Sequence, residues 1–341
     1  MRTPPIPAAL ISLAAAALAA APARAARLPA PQALLDAALT APTIPYEGRV
    51  MVTQWYGRRT RAEELRVYSL PPKRERSEFL SPDGNVVRVL VSNGDEEAVT
   101  LVRARKTVLG HAAGGYEKVL PADQERAALL ANYELLASTG DNVAGRPTWR
   151  LTLKPRVAGK SWQTLWLDRE TRVVLRNKRY LPRRHFASQA EFIAFEPGKA
   201  ADDALFDIDP STSGLIKARG LAPKFLTRAQ LKAAGGGATH LPDRLPGGFV
   251  FESADVFPVM HSPVRQARYT DGLTALSLFQ TDRPVRLPRN ARAAPGTTRL
   301  PGPLDVSLSG NVLQWSVGAR HYTLMGDVSR ELMARIAKSF H

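Results

Sequence analysis

Six histidines, His111, His185, His240, His261, His321 and His341, are the residues from which a metal centre would have to be built. They stand singly, with no HExxH pair, and the chain has no cysteine to join them. A zinc ion needs imidazoles one helical turn apart or thiolates at short spacing, so this spacing argues against a metal site. A G-x-S-x-G elbow, a P-loop and a strand-to-helix G-x-G-x-x-G are also missing. The glycines of GHAAGGYEK lack the Lys-Ser/Thr ending of a phosphate cradle, and that stretch reads as a loop. Asp202 and Asp203 adjoin in a polar stretch with no apolar pocket to raise a carboxylate pKa, which favours a solvated loop over acid/base work. Asp271, in RQARYTDGLTALSLF, lies with Gly272 between two runs of strand character. Asp-Gly in that setting is a two-residue hairpin turn, because both residues tolerate positive φ. Asp271 therefore reads as a corner and not a general base, and Asp271→Asn, which keeps the turn chemistry, is expected to be nearly silent. No catalytic, metal-ligating or cofactor-binding residues are expected.

Binding chemistry is the remaining option. RNKRYLPRRH (Arg176–His185) and RPVRLPRNARAAPGTTR (Arg283–Arg299) are basic clusters, each readable as a solvated strand end or surface loop. Read functionally, Arg176, Lys178, Arg179, Arg183 and Arg184 form a candidate anion site, since the guanidinium fork takes phosphate or carboxylate oxygens in pairs. Trp149, Trp162 and Trp166 fall on neighbouring predicted strands, TWRLTLK and SWQTLWLD. The second is apolar on both faces, so it is covered on both sides, by core or by ligand. Large aromatics usually fill interiors. The alternative is an acyl-chain cavity inside a curved sheet, lined by Trp149, Leu151, Leu153, Trp162 and Trp166.

Two units must position these groups. PQALLDAALTA predicts an amphipathic helix behind a leading proline. From YEGRVMVTQW onward, period-two runs broken by PPK, SPDG and SNGDE predict an antiparallel meander. Good helix formers over Ala122–Thr139 predict a helix interrupting it, after which strands resume as far as EFIAFE. Residues 201–237 read as a linker, with Gly235–Gly237 as a flexible joint. Residues 238–341 read as a small α+β unit closed by the helix VSRELMARIAKSF, and residues 26–200 as the large one.

Residues 1–25 have an early Arg2, an alanine-rich apolar stretch shorter than the ~20 residues of a membrane span, and Ala23-Arg24-Ala25 as a small-x-small site. They read as a secretory signal peptide cleaved after Ala25, so the protein is expected to be exported and soluble, in a bacterial periplasm or secreted. With 341 residues, 44% apolar and 23% charged, the chain can bury a real core. Its net charge is +16, or +14 without Arg2 and Arg24. Outside the cytoplasm that balance points to phosphorylated glycolipids, anionic headgroups or acidic protein segments, not to nucleic acid.

YEGRVMV, FLSPDGNVVRVLVSNGDEEAVTLV, VAGRPTWRLTLKPR and LWLDRETRVVLRNKRY resemble, in order, the large domain of the MucB/RseB regulators of envelope stress, itself similar to the lipoprotein carrier LolA. LPGGFVF, YTDGL and YTLMGDVSRELMARIAKSF resemble that family's small C-terminal domain. The resemblance implies an α+β protein, with a LolA-like half-open antiparallel β-barrel wrapping helices followed by a small α+β domain. It implies no catalysis and no cofactor. The resemblance favours the periplasm, and the implied partners are the periplasmic segment of a single-span anti-sigma factor, which the protein shields from proteolysis, and lipopolysaccharide or another anionic lipid; a homo-oligomer is a separate expectation that the resemblance does not carry. The alternative is a lipoprotein or lipid carrier of the LolA type, which would lack the second domain. The long Arg283–Arg299 stretch and the basic RNKRYLPRRH depart from the family pattern.

Overall fold

The computed structural model describes residues 27–56, 59–94, 96–104, 106–111, 120–182, 185–208, 215–217, 226–234, 241–259, 262–284 and 311–340. The signal peptide, most of GHAAGGYEK, Arg183, Arg184, the Gly235–Gly237 joint and nearly all of the second basic cluster lie outside the described residues.

Helix α1 (Pro31–Leu39) begins with the proline whose missing N–H costs nothing there, and buries Leu34 and Leu35. A meander follows in which each strand hydrogen-bonds the next: β1 (Tyr46–Tyr56), β2 (Arg59–Leu70), β3 (Arg74–Leu80), β4 (Val86–Ser92), β5 (Glu96–Leu101) and β6 (Lys106–His111). After helix α2 (Ala122–Asn132) a second meander runs through β7 (Tyr133–Thr139), β8 (Thr148–Pro155), β9 (Trp162–Asp168), β10 (Val174–Leu181) and β11 (His185–Pro197). Antiparallel pairing of β1 with β11, from Tyr46↔Pro197 to Gln54↔Ser188, fuses the two meanders into one sheet. With β12 (Leu215–Lys217), which adds in parallel to β6, that sheet has 12 strands. Bulges at Arg49/Val50 and at Arg179/Tyr180 bend and twist it. The result is a curled, half-open antiparallel barrel, with α1 and α2 packed on β7 and β8.

The helix expected over Ala122–Thr139 stops at Asn132, and Tyr133–Thr139 is a strand. The local helix preference of Glu-Leu-Leu-Ala yields to a full ladder with β8, from Tyr133↔Pro155 to Thr139↔Trp149. Tyr133, Leu135 and Ala137 then alternate onto the helix-covered core.

Residues read as a linker contribute to both units. Ala201 and Phe206 are buried against Val89 and Val91 of β4, and Arg76 donates to the Leu205 carbonyl at 3.0 Å. Helix α3 (Arg228–Ala234) buries Leu231 completely in the second core. That core belongs to a six-stranded sheet of β13 (Arg244–Leu245), β14 (Phe249–Val259), β15 (Ser262–Thr270), β16 (Ala275–Thr281), β17 (Asn311–Val317) and β18 (Arg320–Gly326). The strand order is β13-β14-β15-β16-β18-β17. Helix α4 (Arg330–Lys338) closes the domain, its first turn capped by Ser329, whose hydroxyl accepts from the Leu332 N–H. Leu332, Met333 and Ile336 pack it onto Phe249, Tyr269, Leu278 and Leu324.

Candidate functional site

The registers of β8, β9 and β10 place each of the aromatic and basic candidates. Trp149, Leu151 and Leu153 alternate along β8 on one face, opposite Leu167, Leu165 and Gln163 of β9. They are buried with Leu34 and Leu35 of α1, and with Leu129 and Tyr133. Trp166 pairs with Arg150, not with Trp149, and Trp162 pairs with Tyr180. Both therefore lie on the opposite face. The five residues expected to line one cavity are divided by the sheet itself, so no single wall holds them all. The sequence shows that each strand alternates, but not which residue of β9 meets which residue of β8.

The second face combines rings and cations. The Arg176 guanidinium lies 5.1 Å, and the Lys178 ammonium 5.5 Å, from the Trp166 ring centroid. Arg176 is also paired with Glu191 and stands 3.6 Å from Asp141. Trp162 and Tyr180 are in ring contact at 4.7 Å. Arg150, which sequence reasoning passed over, joins this face through the register and donates to Ser138 at 3.0 Å. Arg179 projects the other way and pairs at 3.0 Å with Asp327 of the small domain. Of the five residues expected to take an anion, Arg176 is already matched by carboxylates and Arg179 faces the domain junction. Lys178 remains on the aromatic face.

The junction between the domains was not anticipated from sequence. Asp271 does turn the chain, but in a four-residue loop, because the last ladder pair is Thr270↔Ala275. One carboxylate oxygen accepts from the backbone N–H groups of Leu273 and Thr274 at 3.0 and 2.7 Å. The other accepts from the Tyr133 hydroxyl at 2.8 Å and meets the Lys160 ammonium at 3.0 Å. Both charged side chains are 0% exposed. Asn132 donates to the carbonyls of Asp271 and Gly248, each at 3.2 Å, and accepts from Lys160 at 3.0 Å. Tyr133 has its phenol pKa pushed far up, by burial first and then by the neighbouring Asp271 carboxylate. The corner reading of Asp271 is correct for the backbone and incomplete for the charge. Closed to solvent, the group connects the domains and offers no access to a substrate.

Asp327 makes a second connection. Its carbonyl accepts from Ser161 at 2.9 Å, and the Ser329 N–H donates to the Gly159 carbonyl at 2.7 Å. Burial raises the Asp327 pKa above the ordinary carboxylate value, against the opposing pull of Arg179. A carboxyl whose folded pKa is raised favours the folded state at low pH, and that contribution is lost as pH rises through the folded pKa. Mild acidification from about pH 7 towards about pH 4 should therefore add stability at this group, and Asp327→Asn should remove that part of the pH response, leaving the opposite contribution of carboxylates such as Asp168, whose pKa is lowered. Thermal melts of both proteins across that range test it. A wild-type contact that weakens on acidification would contradict the assignment.

Among the described residues no group of three or more His, Asp or Glu side chains could hold a metal ion, and no helix is long and apolar enough to cross a membrane.

Comparison with known proteins follows the same two-domain outline. The MucA/MucB complex of Pseudomonas aeruginosa is 19% identical, with a TM-score of 0.58 over 90% of this chain and 96% of that one. A crystal structure of MucB in complex with MucA(peri) is 18% identical, with a TM-score of 0.57 over 90% of this chain and 97% of the other. A crystal structure of MucB is 17% identical, with a TM-score of 0.50 over 90% of this chain and 96% of that one. At these identities the likeness is one of fold, and it runs through both domains. No curated protein matches the sequence. The profile described as the MucB/RseB N-terminal domain matches residues 42–209, the span of the half-open barrel, and this large domain therefore belongs to the MucB/RseB family.

Proposed function

We propose that the protein is a periplasmic binding regulator that holds the periplasmic segment of a single-span anti-sigma factor, shields it from proteolysis and lets go when an anionic lipid binds. The observation that carries this reading is the pairing of a MucB/RseB N-terminal domain over residues 42–209 with a fold that matches, through both domains, MucB in complex with MucA(peri). A single-domain carrier would need only the barrel. The reading asks for recognition, not for chemistry.

The lipid half of the proposal rests on the face where the half-buried Trp162 and Tyr180 rings offer apolar contact and Lys178 supplies a cation beside the buried Trp166, with Arg183 and Arg184 on the same basic stretch. A phosphorylated glycolipid should then bind through an apolar part and an electrostatic part. The electrostatic part weakens with salt, since exposed charges are screened over ~8 Å at physiological ionic strength. Lys178→Glu combined with Arg183→Glu and Arg184→Glu should lower affinity at low salt and flatten its salt dependence, with little change in melting temperature. The test of the whole reading is a titration of an anti-sigma periplasmic segment with and without purified lipopolysaccharide at two salt concentrations. Mutual loss of affinity is expected, because coupling between two ligands is reciprocal. No binding of the segment would end the regulator reading, and simultaneous independent binding would end the sensor half.

A further inference from the structure

Strand β7 is the last strand of the 12-stranded sheet, hydrogen-bonded to β8 and, among the described residues, to no strand on its other side. The Gly140 N–H donates to the Thr148 carbonyl at 3.1 Å and the Arg156 N–H to the Asn132 carbonyl at 2.9 Å, which fixes the alternation along this ladder. Glu134, Leu136 and Ser138 turn their backbone groups to β8, and Leu135, Ala137 and Thr139 turn theirs outward. Natural edges are blunted by shortness, proline, lysine or a bulge. At the opposite edge β12 is only three residues long. β7 has seven residues, no proline, no lysine and an unbroken register with β8. Its side chains are open as well: Leu136, at the centre of the strand, is 44% exposed, and Leu135 and Ala137 are only half-buried on the core face.

We infer that β7 is a pairing edge for a second copy of this chain, joined antiparallel about a two-fold axis at Leu136. The strand is complementary to itself. Leu135 and the partner's Ala137 exchange their outward N–H and C=O groups, and Leu136 then falls with the partner's Leu136 in the closer, non-hydrogen-bonded kind of pair. Glu134 falls opposite the partner's Ser138. The Arg150 guanidinium already lies over Ser138, to which its Nε donates at 3.0 Å, and among the described residues no carboxylate pairs with it. Glu134, which stands 3.6 Å from Lys154 of its own chain, brings that carboxylate to the partner's Arg150. Each copy offers one Glu134 and one Arg150, so the two-fold matches charge at both ends of the strand. A strand of another protein could use the same backbone groups; the second copy is favoured because β7 itself carries the leucine and the carboxylate at the required spacing. One edge buries less than the ~1,200 Å² of an ordinary stable interface, so the dimer is weak and concentration-dependent.

The test uses the full chain as exported, which has no cysteine of its own. Sedimentation of the wild type should show monomer passing to dimer between about 1 and about 100 µM, the span of a weak interface. Leu136→Lys, which sets two ammonium groups together on the axis, should weaken association by about tenfold or more, with an unchanged circular dichroism spectrum. Single cysteines under mild oxidation read the register. Leu136→Cys should bridge to its own copy, because facing Cα atoms in a non-hydrogen-bonded pair are about 4.5 Å apart, within disulfide range. Glu134→Cys and Ser138→Cys should each fail to bridge alone, at about 13 Å from their own copies, and should bridge when mixed. Leu101→Cys, comparably exposed at 43%, measures random collision. A wild type that stays monomeric throughout overturns the self-pairing and leaves the edge to a strand of another protein. A dimer undiminished in Leu136→Lys overturns the surface. Bridging of Leu136→Cys no faster than that of Leu101→Cys, or no gain on mixing the other two, overturns the antiparallel register.

Discussion

Asp271→Asn is expected to destabilise the junction by about 3–5 kcal/mol, the range for removing one partner of a buried ion pair. The substitution looks mild from the sequence, since asparagine suits a turn as well as aspartate does. Its side-chain oxygen can still accept from the Leu273 and Thr274 N–H groups. The loss is at the other oxygen. There the amide presents donors to the Lys160 ammonium, which at 0% exposure has no water to turn to and keeps as acceptor the Asn132 side-chain oxygen, with the Tyr133 and Phe249 rings 5.5 and 5.2 Å away. Since whole domains are stable by only about 5–15 kcal/mol, the junction should open well before either core melts. Urea denaturation of Asp271→Asn, Lys160→Met and the double variant closes the cycle. A double variant more stable than either single one is the expected sign, with a coupling energy of at least about 1 kcal/mol. Asp271→Asn within about 0.5 kcal/mol of wild type would show that the pair is not closed in solution.

The difference between the two expectations for Asp271 marks where sequence reasoning stops. Patterns whose cause is local were legible. The alternating runs became β1 to β6, the leading proline and apolar spacing became α1, and the Ser329-capped segment became α4. Asp-Gly became a turn with Gly272 at φ +97°. Features that depend on register or on the approach of distant residues were not legible. Trp149 and Trp166 have the same aromatic character and sit on paired strands, yet the β8–β9 register sends them to opposite faces. Tyr133–Thr139 carries helix formers and becomes a strand because β8 offers it a ladder. Lys160 lies between Gly159 and Ser161, and the acids nearest to it in sequence, Asp168 and Glu170, pair instead with Arg146. The Lys160 counter-charge comes from a hairpin over a hundred positions away in another domain. The basic cluster misled for a related reason. Adjacent residues on a strand point to opposite sides, so Lys178 and Arg179 cannot serve one ligand on one face.

Gly272→Ala should be nearly as damaging as the loss of the charge, through two independent costs. The residue sits at φ +97°, where a side chain costs about 1–3 kcal/mol of backbone strain. Its added methyl would also lie 2.8 Å from the Leu129 Cγ and 2.9 Å from the Leu129 backbone nitrogen. A side chain can turn aside, but a peptide nitrogen within helix α2 cannot, so the hairpin must back away from the helix. Overpacking of this kind costs about a further 1–3 kcal/mol. Gly84 is the internal control: it has φ +80° and nothing within 4 Å of the methyl it would gain. Gly84→Ala should show the strain alone. The two variants are expected to differ by at least about 1 kcal/mol in urea denaturation. Faster hydrogen exchange across Leu129–Tyr133 should appear only in Gly272→Ala, because only there does the strain fall on the contact between domains. Equal behaviour of the two would mean that the tip of the hairpin does not bear on α2, and the cost would then belong to the turn alone.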